Sequence, residues 1–231
     1  MPASHLEEEP AAPRPVMGAL LAAASVLAAV VGVWLAATGL KPEPGAPDIR
    51  GTYLADGRPI ADFQLVDHNG EPFTADGLDD RWTVLTFGYT RSEETTPNIL
   101  GLLHSARELL TRADLAQRLQ IALVTVDPGH DGPQRLARYL AGYPAAFHGL
   151  TGDPERIREL AASVGVRYSE RPGEPGRYAI QPRKALLVVN PDGDLTALLM
   201  PPLHPEIIAH DLHTLMQYHR GSLVDYLLQR R

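Results

Sequence analysis

A stretch near the middle of the chain joins a strand pattern to a helix pattern through a short polar loop. Residues 82–87 form a β-branched and aromatic run that is typical of a buried strand. From Ile99 onward, apolar residues recur with helical spacing. Thr96 suits the N-cap of that helix and Pro97 its first position, where a missing N–H costs nothing. The sequence therefore predicts a strand–loop–helix corner whose loop faces the positive end of the helix.

The rest of the chain repeats this alternation of strands and helices. Asn69-Gly70 predicts a tight hairpin turn, and Asp153 predicts the start of a helix that Gly165 ends. Further strands are predicted at 119–126, 184–189 and 195–200, and further helices at 133–141 and 205–218, with a second short helical pattern ending at 231. This order predicts an α/β layer fold with central parallel pairing.

Composition excludes several classes of function. The chain has no cysteine among its 231 residues, which excludes disulfides, thiolate metal sites, thiol redox chemistry and cysteine nucleophiles. The net charge of -7 argues against nucleic acid as a partner, because phosphate binding needs a basic surface.

The beginning of the chain predicts a membrane anchor. Residues 1–15 are polar and proline-rich and are interpreted as a disordered cytoplasmic tail, whereas residues 16–40 carry no charge. As a helix this second run spans more than the ~30 Å of a bilayer core. A cleaved signal peptide is the alternative, but its apolar region is commonly only ~7–15 residues long. Residues 41–57 are interpreted as a linker and 58–231 as the folded domain.

Five short segments resemble one family when they are taken in order. They are Asp62-Phe63 with the Asn69-Gly70 turn, Thr86-Phe87-Gly88-Tyr89-Thr90, Thr125-Val126-Asp127-Pro128, residues 147–153, and residues 189–193. Together they resemble the Sco/SenC family, the membrane-anchored, thioredoxin-fold proteins of cytochrome c oxidase assembly. The resemblance implies a thioredoxin-like domain on the periplasmic side of the cell inner membrane, held by residues 16–40 as a single transmembrane helix.

The copper chemistry of that family does not carry over to this sequence. The family places two cysteines in the loop after the Phe-Gly-Tyr-Thr strand and a histidine before the third strand. The matching positions here are Ser92, Thr96 and Pro182. Cu(I) selects soft sulfur ligands, and a hydroxyl is a poor substitute. We therefore expect no copper cofactor at these positions and no enzyme activity of the thiol redox kind.

The hydroxyl and carboxylate groups of the corner allow two interpretations. Ser92, Glu93, Glu94, Thr95 and Thr96 could contact an anion or a hard cation, but the same residue types stabilise a helix N-terminus by capping alone. We favour capping. Ser92 is a weak candidate nucleophile, because it has no histidine near it in sequence.

A charged patch is the second candidate. The resemblance places the loop before the third strand beside the corner, so that Arg183 and Lys184 face Glu93 and Glu94. These four residues would form an ion-pair patch for contact with a partner. Separate solvated charges are the alternative.

Histidines near the end of the chain are a candidate metal site. His210 and His213 are three residues apart and share one helix face, and imidazole suits Zn(II) and Cu(II). We favour the simpler interpretation, a polar face on an amphipathic helix. For His148, which the resemblance places at an ordinary family position, we expect a structural role; it is also the histidine that could approach Ser92 in space.

The sequence as a whole predicts a non-catalytic docking or assembly factor. Its expected partner is a respiratory oxidase subunit or another assembly factor. The alternative is a metallochaperone that uses other ligands, with His210 and His213 as the first candidates. A hydrolase acting through Ser92 is a third class, for which we expect no support.

Overall fold

The centre of the fold is a pair of parallel strands, β4 (Trp82–Gly88) and β5 (Leu119–Thr125), in which every residue is buried. Along β4, Trp82 and Val84 join one apolar cluster, whereas Leu85 and Phe87 join a second cluster on the opposite face. Successive side chains of a strand point to opposite faces, so a strand covered on both faces is a continuous apolar run in the sequence. The two strongest strand predictions are thereby confirmed.

The computed structural model describes residues 45–111, 115–182 and 184–229, with the backbone alone described at 111 and 221–229. Residues 46–231 group into one compact unit. The predicted tail (1–15) and anchor (16–40) lie outside the described residues, as does Arg183. Within the described ranges, none of the helices combines the length and the apolar character needed to span a membrane.

The strands form one mixed sheet of eight. Their spatial order is β1 (Thr52–Pro59), β10 (Asp194–Leu199), β9 (Leu186–Val189), β4, β5, β6 (Phe147–Thr151), β2 (Gln64–Asp67) and β3 (Pro72–Thr74). β4, β5 and β6 run parallel to one another, and every other neighbouring pair is antiparallel. The carboxyl ends of the three parallel strands therefore lie at the same edge of the sheet.

Helices cover both faces of this sheet. α1 (Thr95–Thr111) and α4 (Pro205–Gln229) pack together on one face, where Leu100 and Leu212 are fully buried. α3 (Pro154–Ser163) covers the other face through Ile157 and Leu160. α2 (Pro133–Leu140) packs against β6. Two short 3₁₀ helices, Ala75–Leu78 and Ala116–Arg118, precede β4 and β5.

Local signals in the sequence placed several boundaries correctly. The Asp153 carboxylate caps α3 by accepting the N–H groups of Glu155 and Arg156. Gly165 follows the helix with a φ of +79°, a conformation that a residue with a Cβ rarely adopts. The Asn69-Gly70 turn connects β2 to β3 as predicted. These three features depend on neighbouring residues alone, which is why they could be predicted.

The predicted linker over residues 41–57 is wrong in its last part. Thr52–Pro59 forms β1, which pairs antiparallel with β10 at one edge of the sheet. Its register shifts between Tyr53 and Arg58, and all of its residues are exposed or half-buried. An irregular edge strand buries no regular face, so it leaves no clear alternation in the sequence.

Two further elements differ from the prediction. β7 (Arg167–Arg171) and β8 (Glu174–Gln181) form a separate two-stranded hairpin, where only a loop before the third strand was expected. The hairpin is largely exposed and rich in charged residues, so its sequence lacks a strand pattern. The last helix is also one continuous element, Pro205–Gln229, rather than a helix followed by a second short one.

A buried carboxylate attaches the first residues of the unit to the last helix. Asp211 of α4 is almost fully buried, and its two carboxylate oxygens accept the N–H groups of Arg50 and Gly51, both at 3.1 Å. Hydrogen bonds to a charged group contribute about 1.5–3 kcal/mol each when water is excluded. Asp211 therefore fixes where the chain begins β1.

Replacing Asp211 by alanine should lower the free energy of unfolding by about 3 kcal/mol or more, because two backbone N–H groups lose a charged acceptor. Chemical denaturation followed by circular dichroism measures the change. The matched control is His213→Ala, at an exposed position of the same helix, which should stay within about 0.5 kcal/mol of the original chain. Equal stability of Asp211→Ala and the control would contradict this role.

Candidate functional site

The predicted corner lies where β4 ends and α1 begins, and its hydroxyl groups are engaged with the backbone. Thr96 is buried, and its Oγ1 accepts the N–H of Tyr89 at 3.2 Å. The N–H of Thr96 in turn donates to Oγ of Ser92 at 3.2 Å. The helix begins at Thr95, so the prediction of Thr96 as the N-cap is wrong. The Thr96 side chain binds the backbone of the loop instead, and the Ser92 hydroxyl accepts the N–H of Thr96, which has no acceptor within the helix.

The close packing of the corner also explains a glycine. A Cβ added to Gly88, the last residue of β4, would lie 2.7 Å from Oγ1 of Thr96 and 3.0 Å from a methyl group of Leu123. Real Cβ atoms do not approach other atoms this closely. The backbone of β4 therefore touches the first turn of α1 directly.

A cavity of about 250 Å³ opens between the corner and the β7–β8 hairpin. One side of the cavity is lined by Ser92, Thr95 and Thr96, and the other by Tyr178 and Lys184. The remaining lining residues are Phe87, Tyr89, Arg171, Ala179, Ile180 and Gln181. No histidine is among these lining residues, so Ser92 has no imidazole beside it that could act as a general base. The geometry gives no support to a hydrolase acting through Ser92.

Asp131 fixes the loop from inside the protein. It is fully buried, and its Oδ2 accepts the N–H of Thr90 at 2.8 Å and the hydroxyl of Thr125 at 2.7 Å. Its Oδ1 accepts the Thr90 hydroxyl at 2.5 Å. Arg135 donates to the Thr90 hydroxyl oxygen at 2.9 Å and lies 3.9 Å from Asp131. The residue that opens the corner loop is therefore bound through both its backbone and its side chain.

Asp127 joins the same loop to the hairpin. Its Oδ2 accepts two hydrogen bonds from the Arg91 guanidinium, at 2.9 Å from Nε and 2.5 Å from Nη2. Its Oδ1 accepts the Tyr178 hydroxyl at 3.2 Å. Burial, and then the neighbouring carboxylate, raise the pKa of Tyr178 to about 12, so the phenol stays protonated and can donate. The Arg91 guanidinium also lies directly against the backbone of Gly176 at the hairpin.

This network was not predicted from the sequence. Asp127 was named only within a segment of the family resemblance, and neither Arg91 nor Asp131 was singled out. A usable signal was present, because both aspartates follow a buried parallel strand, and the carboxyl ends of parallel strands share one sheet edge. The corner loop begins at that same edge.

One member of the predicted ion-pair patch, Glu93, has a basic partner in the hairpin, whereas the predicted partner Arg183 lies outside the described residues. Glu93 pairs with Arg177 of the hairpin at 3.3 Å, and Arg177 also lies 3.6 Å from Glu174. Lys184 lines the cavity, and within the described part of the chain it forms no ion pair with Glu93 or Glu94. An exposed pair of this kind contributes only about 0–1 kcal/mol. The buried Asp127 carboxylate, which binds both Arg91 and Tyr178, therefore holds the hairpin against the corner more strongly than this pair.

Pro182 lies outside the lining of the cavity, although Gln181 and Lys184 on either side belong to it. Proline has no side-chain donor or acceptor for a metal. The hydroxyls of Ser92 and Thr96 are hard, neutral oxygens already engaged in hydrogen bonds. The three positions therefore do not fit the soft donor set that Cu(I) requires.

The predicted histidine site gains no third ligand. His210 and His213 are both exposed on α4, with His210 Nδ1 3.4 Å from Asp211 Oδ1 and His213 Nε2 3.3 Å from Gln217. In the described ranges, neither belongs to a close group of three His, Asp or Glu side chains. The metal-site interpretation of these two histidines stays a prediction.

His148 is placed away from Ser92, beside the turn after β2 and beside β3. Its ring lies 5.9 Å from that of His68 and 6.0 Å from that of Phe73, measured between centroids. Burial, and then the proximity of His68, lower the pKa of His148, so its ring is neutral at physiological pH.

Comparison with known proteins gives one consistent result. The SCO1/SenC family model matches residues 53–217. A protein of Stutzerimonas stutzeri, provisionally named a copper-binding protein, is 35% identical over 146 residues, which cover 63% of this chain and 71% of that protein. The chain spans about half the length of the mitochondrial SCO2 homologs of Danio rerio (48%) and Mus musculus (53%).

Solved structures agree with this match. Apo Sco1 from Thermus thermophilus is 32% identical with a TM-score of 0.63, over 74% of this chain and 99% of that one. ScoI from Bradyrhizobium japonicum, solved with copper bound, is 26% identical with a TM-score of 0.59, over 67% of this chain and 98% of that one. The expected thioredoxin-like fold, a central mixed sheet flanked by helices, is thereby confirmed. On the family match and these relatives together, the chain belongs to the SCO1/SenC family.

Proposed function

We propose that this chain is a non-catalytic SCO1/SenC protein that docks onto a respiratory oxidase or its assembly factors without binding copper at the family position. Residues 16–40 anchor it in the cell inner membrane, and the folded domain lies on the periplasmic side. One solved family member belongs to "the Sco family of cytochrome c oxidase assembly proteins", which supports the same process for this chain.

The proposal rests on the hydrogen bonding of the corner. Ser92 and Thr96, which occupy the family's cysteine positions by resemblance, use their hydroxyl groups to hold the backbone of the loop and of the first helical turn. Asp127 and Asp131 hold the same loop from the other side. The scaffold around the family site is therefore kept in one shape by oxygen and nitrogen groups, with no soft donor to receive copper.

The rim of the cavity suits contact with another protein. Two aromatic side chains, Tyr89 and Tyr178, pack edge to face with centroids 5.3 Å apart beside the opening. Around them lie the charged side chains of Glu93 and Arg177, which are 82% and 54% exposed, and that of Glu94, which is also exposed. An aromatic centre with a charged, wet rim is a common composition for a protein–protein interface.

The first prediction concerns copper. The full chain in detergent should take up no Cu(I) at the corner in competition with a chromophoric Cu(I) chelator, because hydroxyl oxygens do not compete for this soft ion. The triple variant Ser92→Cys, Thr96→Cys, Pro182→His should gain one Cu(I) per chain. The matched control, Ser92→Ala with Thr96→Val, should behave like the original chain.

Copper uptake by the original chain that disappears in the Ser92→Ala, Thr96→Val variant would overturn the proposal. Copper uptake that persists in the Ser92→Ala, Thr96→Val variant would show that copper binds elsewhere on the chain and that the corner binds none.

The second prediction concerns the partner. Affinity purification from solubilised membranes, with quantitative mass spectrometry, should recover a subunit or assembly factor of the respiratory oxidase. Reversing the charge of the rim with Glu93→Lys and Glu94→Lys should reduce that recovery at least about fivefold, since like charges across an interface cost several kcal/mol. The matched control reverses two exposed carboxylates on α3, Glu155→Lys and Glu159→Lys. Equal recovery with both variants would count against docking through this rim.

The third prediction concerns the hairpin that forms half of the rim. Arg91→Ala leaves the buried Asp127 carboxylate without its cation and should lower the free energy of unfolding by about 1–3 kcal/mol, less than for a fully buried pair because Arg91 is 38% exposed. Amide hydrogen exchange should speed up in β7 and β8 while β4 and β5 stay protected. Arg177→Ala removes only the two exposed ion pairs that this residue forms with Glu93 and Glu174, and it serves as the control. Unchanged exchange in the hairpin of Arg91→Ala would show that Asp127 does not hold it.

A further inference from the structure

A second group of chemically capable side chains lies where β2 and β6 meet. Asp67, the last residue of β2, His68, which follows it, and His148 of β6 each offer a ligand atom, and these atoms lie within 4.8 Å of one another. In the part of the chain that the structure describes, this is the one such group of three or more His, Asp or Glu residues. The two histidines are 80 residues apart in sequence, so only the fold brings them together.

Antiparallel pairing of the two strands sets this arrangement. Asp67 lies opposite Leu150, and the next pair along the ladder is Val66 with Thr151. The N–H of Gly149 donates to Nδ1 of His68 at 3.3 Å, a long and weak bond. That bond indicates that Nδ1 of His68 carries a lone pair rather than a proton. The bond orients the His68 ring, and a metal ion there would bind Nε2 with loss of its proton or would replace this weak bond at Nδ1.

The Asp67 carboxylate is oriented by neutral donors alone. It is only 8% exposed and accepts hydrogen bonds from the backbone N–H groups of Asn69 (2.8 Å) and Glu71 (2.9 Å) and from the Asn69 side-chain amide (2.9 Å). Within the described residues it forms no ion pair with Lys or Arg. Its Oδ2 accepts one of these three bonds and so keeps a free lone pair. A buried carboxylate with neutral donors on one side is suited to a cation on the other.

A buried nitrogen of His148 also indicates that this group can bind a ligand. Its Nδ1 is buried and has no hydrogen-bond partner among the described residues. A buried polar atom without a partner costs about 1–3 kcal/mol, and such atoms in native proteins call for an explanation. A bound cation at this group would supply one.

From this geometry we infer that Asp67, His68 and His148 form a binding site for a divalent transition-metal ion, of which Zn(II) and Cu(II) are the representatives. Two imidazoles and one carboxylate suit such ions, whereas Mg(II) and Ca(II) favour oxygen ligands alone. Bonds of about 2.0–2.2 Å to a tetrahedral ion place ligand atoms about 3.3 Å apart, so small side-chain rotations suffice. Three protein ligands leave the fourth position for water.

This site is separate from the corner and does not rest on the proposed function. In the sheet, His148 lies beside Ala122 of β5, which in turn lies beside Leu85 of β4. The corner begins at Gly88, three residues further along β4, and β5 stands between the two sites. Changes at one site should therefore leave the other unaltered.

The nearby positive charge of Arg81 should weaken the binding of a cation at this site, so its removal offers a sensitive test. The positive charge of Arg81 acts on His148, and Arg81 is exposed. Replacing it by glutamine should tighten binding about two- to fivefold, since a screened charge near the surface acts weakly. A rise in affinity is an outcome that damage to the fold would not produce.

The experiment is titration calorimetry of the full chain in detergent with Zn²⁺, repeated with Co²⁺ to record the visible spectrum of the bound ion. We expect one ion per chain and a metal-dependent rise in the unfolding temperature. His68→Ala, in the turn after β2, and Asp67→Asn should each weaken binding at least about tenfold. His148→Gln should do the same, with circular dichroism checking that each variant is folded.

The matched control is the double variant His210→Ala, His213→Ala, which removes two exposed histidines and should leave the affinity unchanged. Absence of Zn²⁺ binding by the folded chain would overturn the inference. So would binding that survives His68→Ala and is lost in the control variant, because the ion would then be held by α4.

Discussion

Two buried carboxylates, Asp127 and Asp131, determine the geometry of everything around the corner. They project from the segment after β5 and bind the two residues that open the loop, Thr90 through Asp131 and Arg91 through Asp127. Each bond to a buried charge contributes about 1.5–3 kcal/mol, several times the effect of the exposed pairs on the same surface. The position of Ser92, of the first turn of α1 and of the hairpin follows from these contacts.

Because of these contacts, the shape of the corner does not depend on copper-binding side chains. The corner needs neither a metal nor a disulfide to stay closed, because Thr96 and Ser92 complete the hydrogen bonding of the loop and the helix. A hydroxyl is isosteric enough with a thiol to fill the same space, and it is a better hydrogen-bond acceptor for a backbone N–H. The fold can thus retain its surface while its donor atoms change.

The sequence predicted the elements that depend on near neighbours. β4, β5 and α1 are strongly patterned, Asp153 and Gly165 mark the ends of α3, and Asn69-Gly70 marks a turn. The elements that were not predicted depend on contacts between residues that are distant in the sequence. β1 gains its structure from pairing with β10, and the hairpin from the packing of Tyr178 against Tyr89 and Tyr168.

The site was predicted in part for the same reason. The strand–loop–helix corner and its hydroxyl groups could be located from local pattern, whereas a charged patch was placed beside it only through the family resemblance. The basic partner of Glu93 could not, because Arg177 reaches it only once the hairpin has formed. Neither could the approach of His68 to His148, which results from the pairing of β2 with β6. Residue types limit the possible chemistry, whereas strand pairing decides which residues meet.

The contact between Arg91 and Gly176 has a consequence for how such a chain can diverge. Gly176 has a φ of +76°, and any Cβ there would overlap the Arg91 guanidinium. A side chain at 176 would be strained by that φ and would also have to push the guanidinium away from Asp127, so the two positions constrain each other. Sequence drift in the hairpin is in this way coupled to drift in the corner, 85 positions earlier in the chain.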